Sequence, residues 1–316
     1  MIALNNVTRN FSDLKAISDI NISVTKGDIV GVVGKNGAGK TTLLRLIAGN
    51  LEPTEGTVSV DGYNIYQERQ KYKYITSFVT GSTSGLYLKM SVWDNITFFA
   101  SMYRIPRKIA NTRAEALLKY FDLFEKRSSP ISSLSTGMKL KLKLAIAVIS
   151  TPKLLILDEA TSGMDYEAVQ KTIDLIRFLN KTCGTTVLFT THKINEIDSI
   201  ANKLIILDSG KIISKGEISQ YYSDYRKMIC IKVVVNKEDE SSIRASLEQG
   251  KDKGIKLFEI ESGKEDNLIN IKIYTEMHKL DVHEVIKEFL PNLELSAIWS
   301  EDLDLESMIK IICKRS

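Results

Sequence analysis

Cysteine is nearly absent: only Cys183, Cys230 and Cys313 occur in 316 residues, an odd number and widely scattered. That usage excludes a disulfide framework and suits free thiols in a reducing compartment. Long hydrophobic runs are missing too, and no stretch reaches the roughly 18–20 apolar residues that a membrane helix needs. The opening MIALNNVTRNF has no basic stretch followed by an apolar core, so no secretory leader is expected there. Internal repeats, low-complexity tracts and sustained heptads are lacking, which argues against solenoids, linkers of biased composition and coiled coils.

What is present is ordinary for a packed protein: 43% hydrophobic and 26% charged residues. The length allows one large domain and a smaller one. The net charge of +4 conceals a division along the chain. Residues 217–316 carry 15 Lys+Arg against 20 Asp+Glu, a balance of −5, leaving residues 1–216 with 28 against 19, a balance of +9. A basic front part suits anionic partners, whether nucleotide phosphates, lipid headgroups or nucleic acid, and charge alone does not choose among them.

Residues 29–33 read as a buried strand and 40–48 as a helix, with Gly49 as its stop signal. Further buried strands are expected at 154–157, 186–190 and 203–207, with helices at 139–150, 166–180 and 193–200 between them. Such alternation predicts an α/β fold with a parallel sheet and helices on its faces. The segment 83–150 interrupts the rhythm with helical patterns at 94–103 and 112–126, as an inserted helical subdomain would. Asp208–Lys211 reads as a turn between short strands, and 217–228 as a linker. Beyond it the expected order is strand 229–235, helix 239–249, strands 255–261 and 267–275, helix 280–289, strand 293–298 and helix 304–312. The β-α-β-β-α-β part of that order resembles a ferredoxin-like unit.

Two motifs carry chemistry. Gly34-Lys35-Asn36-Gly37-Ala38-Gly39-Lys40-Thr41, followed by Thr42, fits the phosphate-loop pattern G-x-x-x-x-G-K-[ST]. Glycines let backbone N–H groups turn toward phosphate oxygens, and the following helix points its positive end at the same charge. Lys40 is placed for the β- and γ-phosphates, and the Thr41 hydroxyl for Mg²⁺. The pattern also lies between an expected strand and an expected helix, as its function requires. The second motif, Leu154-Leu155-Ile156-Leu157-Asp158-Glu159, is an apolar strand ending in two carboxylates. At that end Asp158 is placed to hold the Mg²⁺ shell, and Glu159 to take a proton from the attacking water or orient it.

With these motifs residues 1–216 resemble the nucleotide-binding subunit of ABC transporters. Leu134-Ser135-Thr136-Gly137-Met138 stands where that family has LSGGQ and departs from it at Thr136 and Met138. The resemblance implies that Ser135 and Gly137 meet the γ-phosphate bound on an opposite subunit. It implies that Asp165, in Ser162-Gly163-Met164-Asp165, lies at the dimer seam, and that His192 contacts the γ-phosphate. Phe11 stands where the family stacks an aromatic on adenine. The family's glutamine ahead of the helical insertion is missing: its place falls on Gly81 or Ser82, and Ser82 would be the remaining side-chain ligand for the metal there.

The resemblance further implies ATP and Mg²⁺ as cofactors, a second ATP-binding subunit in a homodimer, and a separate integral-membrane permease. A place on the inner face of the cell membrane follows, with no nucleic acid partner. The tail, ending in Leu303-Asp304-Leu305-Glu306-Ser307-Met308, resembles that of bacterial two-protein exporters. The expectation is an export ATPase with an ATP-binding domain at 1–216 and an accessory domain at 229–316. Two alternatives stand beside it. One is a soluble ABC ATPase of translation or DNA repair, which usually carries two cassettes or a long coiled coil. The other is an immunity protein that binds ATP without hydrolysing it, against which the intact Glu159 and His192 speak.

Overall fold

The computed structural model describes residues 1–12, 14–250, 254–263, 267–276, 282–290 and 295–315. Two compact units divide the chain, Met1–Ile218 and Ser219–Ser316.

The first unit is built on a six-stranded sheet. From edge to edge its strands are Lys211–Glu217, Lys203–Asp208, Ile29–Val33, Thr186–Thr190, Leu154–Asp158 and Thr76–Thr80. All neighbours are parallel except the first pair, which is a hairpin. Ile29–Val33, Leu154–Asp158 and Thr186–Thr190 are buried along their whole length. A parallel strand covered on both faces is a continuous apolar run, which is why these segments were legible as strands. Thr80, Asp158 and Thr190 end three adjacent strands in register, so their side chains and the following loops share one rim. Loops at the carboxyl ends of parallel strands are where such folds bind ligands.

A second sheet, antiparallel, has the order Leu14–Val24, Ile2–Phe11, Glu55–Val60, Tyr63–Asn64. The sequence reading assigned no element to these residues. Three register shifts between the first two strands break the alternation that would have marked them. The helix Lys40–Ile47 buries Leu43, Leu44, Leu46 and Ile47 in a core shared with Ile2, Leu4, Val58, Val60, Ile156 and Leu188. One helix therefore ties the phosphate loop to both sheets. Truncating Leu43 to alanine in such a core costs about 2–5 kcal/mol.

The inserted region 83–150 is helical, with Val92–Met102, Arg107–Tyr120 and Thr136–Val148. Ser91 caps the first by accepting the Asp94 N–H at 3.0 Å, and Ser135 caps the third by accepting the Met138 N–H at 3.2 Å. Asp165 caps Tyr166–Cys183 at 2.7 Å, and Gly184, in a left-handed conformation, ends it.

The second unit holds an antiparallel sheet ordered Ile255–Ser262, Leu268–Glu276, Met228–Asn236, Leu295–Asp302. Numbered within the unit, that order is 2-3-1-4, the strand arrangement of the ferredoxin-like topology. Helices Glu240–Gln249 and Val282–Phe289 contribute Ile243, Leu247, Val285 and Phe289 to its core with Ile231, Val233, Ile271 and Ile273. The α/β unit is thus followed by an additional antiparallel domain. Where a linker was expected at 217–228, a helix occupies Ile218–Tyr225. Residues 280 and 281 of the expected helix and 293 and 294 of the expected strand lie outside the described residues.

Candidate nucleotide site

The chain leaves the strand Ile29–Val33 into a loop that only glycine permits. Gly34 has φ +155°, and a β-carbon there would stand 2.2 Å from the Leu207 carbonyl oxygen. Gly39 has φ +101°, with the Ala16 carbonyl 2.8 Å from its missing β-carbon, and starts the helix Lys40–Ile47. The side chain of Lys40 is almost enclosed, at 7% exposure, and its Nζ donates to the Gly34 carbonyl at 2.7 Å and the Lys35 carbonyl at 3.0 Å. Burial holds its ammonium below the ordinary lysine value, while the Glu159 and Asp158 carboxylates pull the other way.

Asp158 Oδ1 accepts from the Thr41 hydroxyl at 3.2 Å and from the Thr190 hydroxyl at 2.9 Å. Glu159 follows in a left-handed conformation with φ +52°. Its N–H is satisfied by Thr190, through the carbonyl at 3.2 Å and the hydroxyl at 3.0 Å. Its carboxylate Oε1 lies 2.9 Å from His192 Nε2. A side chain pinned in a sparsely populated backbone region is what a functional constraint produces.

Of these groups Lys40, Thr41 and Glu159 line a cavity of about 580 Å³, together with Phe11, Asn36, Gly37, Gly39 and Thr42, and Asp158 meets it through its bond to Thr41. Ala38 is buried beneath it, its carbonyl accepting the Gly210 N–H at 3.1 Å. Phe11 is 41% exposed, with the Arg9 guanidinium 4.6 Å from its ring centroid. One face of the ring is thereby taken by a cation.

Thr41 and Asp158 offer a hydroxyl and a carboxylate, hard oxygen donors of the kind Mg²⁺ prefers. Among the described residues no group of three or more His, Cys, Asp or Glu side chains converges. A donor set of one carboxylate and one hydroxyl fits a cation completed by substrate phosphates and water, and so fits Mg²⁺.

Ser82, Ser135, Gly137, His192 and Asp165 are not among the residues lining this cavity. His192 reaches it through Glu159. Ser135 is exposed at the start of its helix, and Asp165 lies 3.6 Å from Lys141 of that helix. The two places open for the missing glutamine are distinguished by sterics. The Gly81 N–H donates to the Asp158 carbonyl at 2.8 Å, and a β-carbon on Gly81 would stand 2.5 Å from the Glu159 carbonyl oxygen. Only Ser82 has room for a side chain, and its hydroxyl is engaged on its own loop, 2.9 Å from Thr80 Oγ1 and 2.7 Å from Ser84 Oγ. Thr190 and Lys143 escaped the sequence reading as site residues. Thr190 carried a signal, as the last residue of a buried strand parallel to the one ending at Asp158. Lys143 carried none.

A family profile for ABC transporters matches residues 17–162. The ABC transporter ATP-binding protein NatA of Bacillus subtilis (strain 168) is 32% identical over 230 residues, covering 72% of this chain and 93% of that relative. The chain belongs to the ABC transporter ATP-binding proteins. The methionine import ATP-binding protein MetN 1 of Bacillus thuringiensis subsp. konkukian (strain 97-27) is 29% identical over 261 residues, 79% of this chain and 77% of the relative. The ATP-binding cassette MJ0796, solved as a dimer in a post-hydrolysis state with ADP and Pi, superposes with a TM-score of 0.63 at 25% identity. That likeness covers 69% of this chain and 99% of the cassette. This ABC protein is therefore an ATP-binding transporter subunit and an ATPase whose hydrolysis drives transport, of a family whose cassettes dimerise. Among its described residues no helix is long and apolar enough to cross a membrane.

Proposed function

We propose that two copies of this chain close head-to-tail on two ATP molecules and power export through a separate integral-membrane permease. The observation that carries the reading is the convergence of Lys40, Thr41, Asp158 and Glu159 on one rim, with His192 2.9 Å from the Glu159 carboxylate. Lys40 and the N–H groups at the start of its helix bind the β- and γ-phosphates. Thr41 and Asp158 hold Mg²⁺, with Ser82 the nearest residue in kind to the family's missing third ligand. When bound, Mg²⁺ neutralises the charge developing on the transferred phosphoryl group. Glu159 takes the proton of the attacking water, and His192, hydrogen-bonded to it, keeps the carboxylate in place and reaches the γ-phosphate. Phe11 offers its open face to adenine.

Ser135, Gly137 and Asp165 act on the nucleotide of the other copy. The exposure of Ser135 and Asp165 at the start of two helices, with Gly137 half-buried in the first turn of one of them, supports a role at a seam. Because every hydrolytic position is filled, one kind of chain suffices for both sites. A permease partner is supported by an exposed apolar surface on the helical subdomain, where Tyr87, Leu88, Phe98 and Met102 are 37–51% exposed and the Tyr87 and Phe98 rings meet at 5.0 Å. Such a partner would hold the protein on the inner face of the membrane.

Replacing Glu159 with Gln keeps the shape and removes the base. Hydrolysis should fall at least about 10²-fold while ATP still binds and an ATP-dependent dimer accumulates on size exclusion. A wild-type rate would refute the assignment. Export is supported by the tail's resemblance to two-protein exporters. Import is the second reading, favoured by the similarity to MetN 1. ATP added to inside-out vesicles bearing the permease should drive cargo into the lumen for an exporter and out of it for an importer.

A further inference from the structure

Lys143 projects from the helix Thr136–Val148 with no carboxylate partner in the described structure, and it is half-buried. Its Nζ donates to the Ser82 carbonyl at 2.7 Å, to the Thr80 carbonyl at 3.2 Å and to the Thr80 hydroxyl at 3.3 Å. Desolvation alone pulls its ammonium below the usual lysine value. Withdrawing a cation from water is costly, and here only the hydrogen bonds to these neutral oxygens offset the cost, so they tie the ammonium to the loop.

The two carbonyls it grips flank Gly81. Gly81 in turn rests on the catalytic strand's end: its N–H donates to the Asp158 carbonyl at 2.8 Å. Its α-carbon approaches so closely that a β-carbon would stand 2.5 Å from the Glu159 carbonyl oxygen. Glu159 is the residue held in a left-handed conformation. A chain of contacts thus runs from Lys143 through residues 80–82 to the Glu159 backbone. At its other end, the same helix starts at Ser135 and Gly137.

We infer that Lys143 is a positioning residue for hydrolysis, clamping the carbonyls of Thr80 and Ser82 so that Gly81 braces the backbone of Glu159. The inference rests on the reading of Glu159 as the base. The clamp fixes the carboxylate for turnover and leaves the phosphate loop, on the other side of the strand Leu154–Asp158, free to bind nucleotide as before. It also supplies a rigid link between the helix that starts at Ser135 and the loop where the family's glutamine is missing.

The test is steady-state hydrolysis by the full-length chain, with nucleotide affinity measured separately by titration, for wild type, Lys143→Met, Lys143→Arg and Glu159→Gln. Lys143→Met should lower kcat about tenfold or more with nucleotide Kd within about twofold of wild type. Lys143→Arg, which keeps charge and donors, should recover most of the rate. A folded Lys143→Met at the wild-type rate overturns the inference, and so does a loss of affinity equal to the loss of kcat. If Glu159→Gln is inactive while Lys143→Met is normal, the clamp alone fails. If Glu159→Gln is normal, the base assignment fails and the clamp with it. Should Lys143→Met not fold, Gly81→Ala takes its place: it leaves the lysine intact and crowds the Glu159 carbonyl. Its kcat should fall by the same order with affinity kept, and a wild-type rate overturns the proposal.

Discussion

At the scale of single residues, Lys40 and Ser82 separate binding from turnover. Lys40 holds the carbonyls of Gly34 and Lys35 and faces the site where phosphate charge would lie. A hydrogen bond to a charged group is worth about 1.5–3 kcal/mol, so Lys40→Ala should weaken ATP binding at least about tenfold and abolish turnover. Calorimetric titration checks the first effect and phosphate release the second. Ser82 has room that Gly81 lacks. Ser82→Gln should therefore fold and raise hydrolysis in the absence of the permease, or lower its Mg²⁺ requirement, whereas Gly81→Gln should disturb the backbone of Glu159 and lower activity. Equal behaviour of the two variants in a Mg²⁺ titration would count against the steric distinction.

Among elements, the central strands owe part of their alignment to one buried ion pair. Asp28, at the head of Ile29–Val33, meets Lys203 of the neighbouring strand at 2.8 Å. Burial works to raise the Asp28 pKa. Hydrogen bonds from Lys203, the Thr25 N–H and Asn202 outweigh it and hold the carboxyl below its ordinary 3.8. A carboxyl depressed in the folded state contributes stability that is full above its unfolded pKa and is lost as pH falls through the folded value. Thermal melts should accordingly show a steeper acid loss below about pH 4 for wild type than for Asp28→Asn. An identical acid limb in both would remove Asp28 from the account. The elements legible in the sequence were those whose burial is complete. Leu154–Asp158 and Thr186–Thr190 are unbroken apolar strands, and the phosphate loop advertises itself through Gly34, Gly39 and Lys40. The strands Ile2–Phe11 and Leu14–Val24 were not legible, because bulges disrupt their alternation. Lys143 was hidden because a lysine on an amphipathic helix ordinarily faces water, and only tertiary contact turns it inward.

For the whole molecule, the two compact units carry separate cores, and no nucleotide contact has been assigned beyond Ile218. A chain ending at Ile218 should keep ATP affinity within about threefold of the full protein, a range set by the roughly 0.6 kcal/mol per factor of three that thermal energy implies. Fluorescent-nucleotide titration of the folded truncation checks this, and a larger loss would mean that the second unit completes the site. The two units also differ in sign. Met1–Ile218 holds 28 Lys+Arg against 20 Asp+Glu, and Ser219–Ser316 holds 15 against 19, net charges of +8 and −4. Near an anionic bilayer the field draws the first unit in and pushes the second away. The effect is short-ranged: it acts within about a Debye length, some 8–10 Å in physiological salt, and weakens as salt is added.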